Sequence, residues 1–128
     1  MKVLLDTHAL LWWWTDDAQL SPTARATLGD PSCTIFVSAA SAWEIATKHR
    51  LGKLPGLEDA LSRFNELVLA DGFRHLPVSY LHALKAGSYP WAHRDPFDRM
   101  LVAQSEIESL VLLSCDSALA DCGARLLW

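Results

Sequence analysis

Three short runs in the chain are apolar nearly throughout and do not alternate with polar residues: KVLL at 2–5, TIFV at 34–37 and LVLL at 110–113. A strand with one wet face reads as alternation, so runs like these belong to strands covered on both faces. Helical patterns stand between them. The chain is therefore expected to be an α/β protein built on a parallel sheet with helices over both faces. At 128 residues it suits a single domain, 1–128.

The punctuation supports this order. A helix is expected over 8–15. Ser21 and Pro22 supply a cap and a first helical residue for another, running to about 28. The segment 39–51 reads as a helix ended by Gly52. Residues 57–70 read as one long helix, with Leu57, Leu61, Phe64, Leu67 and Val68 on one face. A weak strand at 73–76, a helix at 78–86 and a loop at 87–93 follow. Asp95-Pro96 opens a helix to about 108, and a short helix and a strand at 124–127 close the chain.

Composition narrows the function classes. A chain 51% hydrophobic and 20% charged, with six Gly and six Pro, is neither disordered nor collagen-like. A net charge of -4 excludes gripping nucleic acid through bulk positive charge. Cys33, Cys115 and Cys122 are odd in number and show no CxxC spacing, which argues against a disulfide framework and against zinc. Asp6 and His8 interrupt the apolar N-terminus, so it does not read as a signal peptide. No stretch is apolar over the ~18 residues that a membrane span needs. A soluble, cytoplasmic protein with no membrane partner is expected.

The acids are more informative than their sum. Two strand-like runs end in aspartate, KVLLD at Asp6 and LVLLSCD at Asp116. Sites in open parallel sheets lie beyond the carboxyl ends of the strands. Glu44 in SAASAWEIA and Asp98 in HRDPFDRMLVAQ fall near helix starts at the same edge, with Asp95 three residues before Asp98. Converging carboxylates repel, and a divalent cation resolves the repulsion. Oxygen ligands suit Mg2+ or Mn2+, which can clamp the oxygens of a phosphodiester. Each acid also has a structural reading. Asp95 is placed to cap the helix begun by Pro96, with Asp98 as reciprocal acid. Ser41-x-x-Glu44 matches a capping box. Asp116 is placed to cap the next helix, and Asp6 to close a turn.

Four segments in order, LLDTHALLWW, VSAASAWEIATKHRLGKL, HRDPFDRMLVAQS and LLSCD, resemble the PIN-domain ribonucleases, and among them the VapC-like toxins of toxin–antitoxin pairs. The resemblance runs over essentially the whole chain. It implies a three-layer α/β/α sandwich with a central parallel sheet and an acidic pocket for Mg2+ or Mn2+. It also implies RNA cleavage, a homodimer and a VapB-like antitoxin. By position it makes Asp6, Glu44, Asp98 and Asp116 the catalytic acids. Asp6, Asp98 and Asp116 are expected to be metal ligands, with Glu44 acting directly or through water. Thr7 and Ser114 are auxiliary hydroxyls, Ser114 standing where many members have Thr. Asp95 belongs to one branch's form of the motif and is auxiliary at most.

Arg94, Arg99, Lys48 and Arg50 flank these motifs and are candidate phosphate contacts, against a reading as ordinary surface charge. His93 is a candidate aid to the leaving group, or a loop residue. Trp12, Trp13 and Trp14 sit about 100° apart on a helix and cannot share one core face, so a partner surface is expected there. Trp43 is expected to pack its helix onto the sheet, and Trp91 to pack or to stack on a base. The competing readings are an aspartyl-nucleophile phosphatase, a catalytically silent interaction module and a DNA-directed nuclease. The phosphatase wants an acid two residues after Asp6, where His8 stands.

Overall fold

The computed structural model describes residues 1–92 and 95–128. Five strands form one sheet in the order β3-β2-β1-β4-β5, and every pairing is parallel. They are β1 (Lys2–Leu5), β2 (Thr34–Ser38), β3 (Arg74–Leu76), β4 (Val111–Leu113) and β5 (Leu126–Leu127). Val3, Leu4 and Leu5 of β1 are fully buried, as runs without alternation require. One apolar cluster, holding Val3, Leu5, Leu10, Ile45 and Val68, lies on one side of the sheet. A second, holding Leu4, Leu101, Val102 and Leu119, lies on the other. Successive residues of β1 thus feed opposite layers.

Seven α-helices cover the sheet among the described residues: α1 (Thr7–Trp14), α2 (Pro22–Gly29), α3 (Ala39–Arg50), α4 (Glu58–Ser62), α5 (Phe64–Ala70), α6 (Tyr80–Ser88) and α7 (Pro96–Ile107). Ser21 caps α2 by accepting the Ala24 N–H. Gly52, at φ 74°, turns the chain out of α3. The expected short helix near the C-terminus is a single 3-10 turn, Ser117–Leu119.

Three expectations change. Residues 57–70 form two helices, broken at Arg63, where φ is -115° and ψ is 21°. The Arg63 guanidinium pairs with Asp59 before the break and Glu66 after it. Leu57, Leu61 and Phe64 still pack against the first cluster, and Val68 is buried in it. Helical spacing locates the buried face but is blind to a one-residue interruption.

The second change adds partners within the chain to the Trp12–Trp14 run, which stays half-buried. Trp12 meets Trp128 and stacks on His8, Trp13 tilts against Phe73, and Trp14 meets Phe64 edge-on while donating Nε1–H to Asp71. The 100° fan is satisfied because α1 has neighbours on more than one side. Third, Trp43 does not pack onto the sheet. It is the exposed tryptophan, at 60%, with its ring edge-on to Phe97.

Candidate active site

From β1 the chain moves outward through β2 to β3, and on the other side β4 is followed by β5. The order therefore reverses between the neighbours β1 and β4. A crevice opens at such a reversal beyond the carboxyl ends of the strands. Asp6 follows β1 directly, and Ser114 and Asp116 follow β4.

Asp6 is only 6% exposed. Its Oδ1 accepts the His8 N–H at 2.9 Å, which makes it the N-cap of α1. Its Oδ2 accepts the Ser114 hydroxyl. The same Ser114 oxygen accepts the Asp116 N–H at 3.1 Å, so one hydroxyl ties the two strand ends together. Asp116 in turn caps the 3-10 turn through the Ala118 N–H at 3.1 Å. Burial pushes the Asp6 carboxyl above the ordinary aspartate range, and the charge of Glu44 adds to the push. The hydrogen bonds from Ser114 and His8, and the charge of His8, oppose it without prevailing.

Glu44 lies on α3 and is 4% exposed. The capping-box reading of Ser41-x-x-Glu44 is incorrect. α3 begins three residues earlier, and Ser38 is its cap, accepting the Ala40 N–H at 2.9 Å. Strand β2 ends at Ser38, and that endpoint decides which serine caps. Ser41 instead accepts the Thr7 hydroxyl at 2.9 Å, fastening the start of α1 to α3. Glu44 pairs with Lys48, one turn further along the helix. Burial draws the Lys48 ammonium down, but the hydrogen bond and charge of Glu44, aided by Asp95 and Asp98, outweigh it and hold its pKa above the lysine norm.

Asp95 is a helix cap, accepting the N–H groups of Phe97 at 2.9 Å and Asp98 at 3.1 Å. Asp98 occupies the first turn of α7, half-buried. Arg99 points back into the chain and donates to the carbonyls of Ala86 at 3.0 Å, Tyr89 at 2.6 Å and Trp91 at 3.5 Å. Its guanidinium lies 5.6 Å from the Trp91 ring, which stacks on Tyr89 at 3.7 Å. Trp91 is therefore a packing residue here. Arg50 is exposed. His93 and Arg94 lie outside the described residues.

Residues that position the acids escaped the sequence reading. Ser38 donates its hydroxyl to Oε1 of Gln104, a fully buried residue of α7. The Gln104 amide also donates to the Pro77 carbonyl at 3.3 Å and meets His82 Nδ1 at 3.4 Å. His82, 2% exposed, accepts the Ser79 N–H and faces Glu108 at 2.9 Å. This polar seam joins the helix of Glu44 to the helix of Asp98. Its signal was Gln104 sitting three residues after Leu101 on the apolar face of α7.

Asp6, Ser114 and Asp116 are thus joined directly, Glu44 lies close enough to raise Asp6, and Lys48 feels Glu44, Asp95 and Asp98. The donors are carboxylate and hydroxyl oxygens, the kind that suits a hard divalent cation. Among the described residues, no three His, Cys, Asp or Glu side chains are gathered as a ligand set. The set fits Mg2+ or Mn2+ in kind.

Residues 3–124 match the family model described as PIN domain. The chain belongs to the PIN domain family. A relative, ribonuclease VapC16 of Mycobacterium tuberculosis, is 43% identical over 58 residues, which is 45% of this chain and 41% of that protein, so the match spans about two fifths of the relative. The fold is shared with solved structures. VapBC2 from Rickettsia felis bound to a promoter DNA fragment aligns with a TM-score of 0.71 at 12% identity, covering 99% of this chain and 98% of that one. A toxin–antitoxin complex from Klebsiella pneumoniae aligns at 0.62 and 15% identity, covering 98% and 96%. FitAB bound to IR36 DNA aligns at 0.55 and 17%, covering 98% and 93%. The parallel five-stranded sheet agrees with the PIN architecture expected from the sequence. No helix among the described residues is long and apolar enough to cross a membrane.

Proposed function

We propose that this PIN domain is a divalent-metal-dependent endoribonuclease, working in the cytoplasm as a single-domain toxin held in check by a VapB-like antitoxin. The observation that carries the reading is Asp6: a carboxylate buried at the switch point, raised by its surroundings, and tied through Ser114 to the neighbouring strand end. A silent module that kept its acids only as caps would not need this. Asn or Ser caps a helix as well as Asp, without burying a charge. The relative named a ribonuclease supports RNA as substrate, and the neighbours solved as toxin–antitoxin complexes support an antitoxin partner.

In this reading Asp6, Asp98 and Asp116 hold Mg2+ or Mn2+, with Glu44 acting directly or through water. Bound there, the metal supplies positive charge for the phosphoryl oxygens and lowers the pKa of a water. The chain's own residues do the positioning. The His8 N–H and the Ser114 hydroxyl fix both oxygens of Asp6, and the Thr7–Ser41 hydrogen bond holds α3, with Glu44, against the start of α1. Asp95 serves by capping α7 and so setting the first turn that bears Asp98. Arg99 braces the segment 86–91, and Arg94 remains a proposed phosphate contact.

A homodimer is proposed on the apolar face around α6. Trp43, Ala83, Ala86, Gly87, Pro96 and Met100 line a shallow cleft of about 210 Å³ together with Arg99, whose guanidinium is turned to backbone carbonyls. Tyr80 and Leu84, spaced with Ala83 and Gly87 along one helical face, are 74% and 68% exposed. Two copies each carrying -4 associate best through a patch free of acids. The catalytic reading is tested by incubating RNA with Mg2+ and wild type, Asp6→Asn or Asp98→Asn protein. Cleavage by wild type, abolished by EDTA and by either substitution, is expected. Undiminished cleavage by the variants, or in EDTA, overturns it.

A further inference from the structure

Lys48 and Glu44 are unequal partners. The Glu44 side chain is 5% exposed, whereas that of Lys48 is 31% exposed. A buried carboxylate with no partner is strongly destabilising, and Lys48 is the partner this one has. The lysine has a long flexible stem and partial access to water, so it can withdraw while Glu44 cannot. The ammonium is also the positive charge that Asp95 and Asp98 share with Glu44. It is therefore paired with Glu44 and feels the charges of Asp95 and Asp98 as well.

We propose that Lys48 is a built-in counter-ion of the acid edge, which neutralises Glu44 in the metal-free protein and gives way when a divalent cation engages the site. This rests on the metal-dependent reading above. Two cations at one carboxylate repel, so Lys48 lowers metal affinity while keeping the metal-free fold intact. It is a positioning residue, and the ion pair gives it a partner other than an RNA phosphate.

The test measures Mn2+ affinity by electron paramagnetic resonance at low ionic strength for wild type, Lys48→Gln, Glu44→Gln and the double variant. Gln at 48 keeps a donor for Glu44 without the charge, and the double variant removes both charges, so folding does not hinge on the pair. Lys48→Gln is expected to bind Mn2+ about tenfold more tightly, the order expected for one partly screened charge. Its metal-free melting temperature should fall and be recovered by Mn2+. In the Glu44→Gln background the gain should shrink, because the part that runs through Glu44 is gone. A salt bridge serving stability alone would lower the melting temperature and leave Mn2+ affinity unmoved. Unchanged or weaker Mn2+ binding by Lys48→Gln overturns the proposal, as does an equal gain in both backgrounds. Failure of wild type to bind Mn2+ at all overturns the metal-dependent reading itself, and this inference with it.

Discussion

Asp6 carries its charge where the fold admits little water, and stability should report it. Its pKa is raised first by burial and then by Glu44. A carboxyl raised on folding binds a proton more readily in the native than in the unfolded state, so stability falls as pH rises from the ordinary value of 3.8 through the native one. Asparagine at this position still caps α1 and does not titrate. Metal-free Asp6→Asn should therefore melt higher than wild type at neutral pH, with the gap closing as pH falls towards 3.8, as read by thermal denaturation in EDTA. A gap that is constant with pH would contradict the assignment. The position of this residue was legible, because an apolar run ending in Asp marks a strand end. Its bond to Ser114, 108 positions away, was not, because that contact depends on which strands are neighbours.

At the scale of elements, strands and caps were read well and interruptions poorly. Ser21 and Asp95 declared their helices through the proline that follows each. Ser41 misled because its spacing to Glu44 satisfies a local rule that the end of β2 overrides. The break at Arg63 left no trace in the apolar periodicity of 57–70. The seam between α3 and α7 is the element-level feature with the largest expected consequence. Gln104→Ala removes the partner of the buried Ser38 hydroxyl, and the loss is expected to cost about 1–3 kcal/mol. That corresponds to a melting temperature lower by roughly 4–12 °C for a domain of this size. The proposed RNA cleavage should fall as well, since the seam fastens the start of α3 to α7, the helices that carry Glu44 and Asp98. Thermal denaturation within about 0.5 kcal/mol of wild type, the range of an ordinary surface substitution, would show the seam to be idle.

At the scale of the molecule, the tryptophans redistribute the surface. The run at Trp12–Trp14 is half-buried against residues of the chain itself, while Trp43, Tyr80 and Leu84 are exposed outright. Sequence spacing alone ranks these the other way, because it does not show what stands beside each helix. Tyr80→Glu with Leu84→Glu should convert a dimer to a monomer in sedimentation velocity, with the helical circular dichroism unchanged since both side chains are exposed. A wild type that is monomeric at micromolar concentration would contradict the dimer. The net charge of -4 fits the proposal that RNA would be held through a cation among acids rather than by a basic face. The most direct measurement pairs an RNA with a DNA of the same sequence and follows both with wild type and Asp116→Asn protein in Mn2+. Cleavage of RNA by wild type, with intact DNA and an inactive variant, is the predicted result. Equal cleavage of both strands, or a variant as active as wild type, would contradict an RNA-cutting acid edge at the junction of β1 and β4.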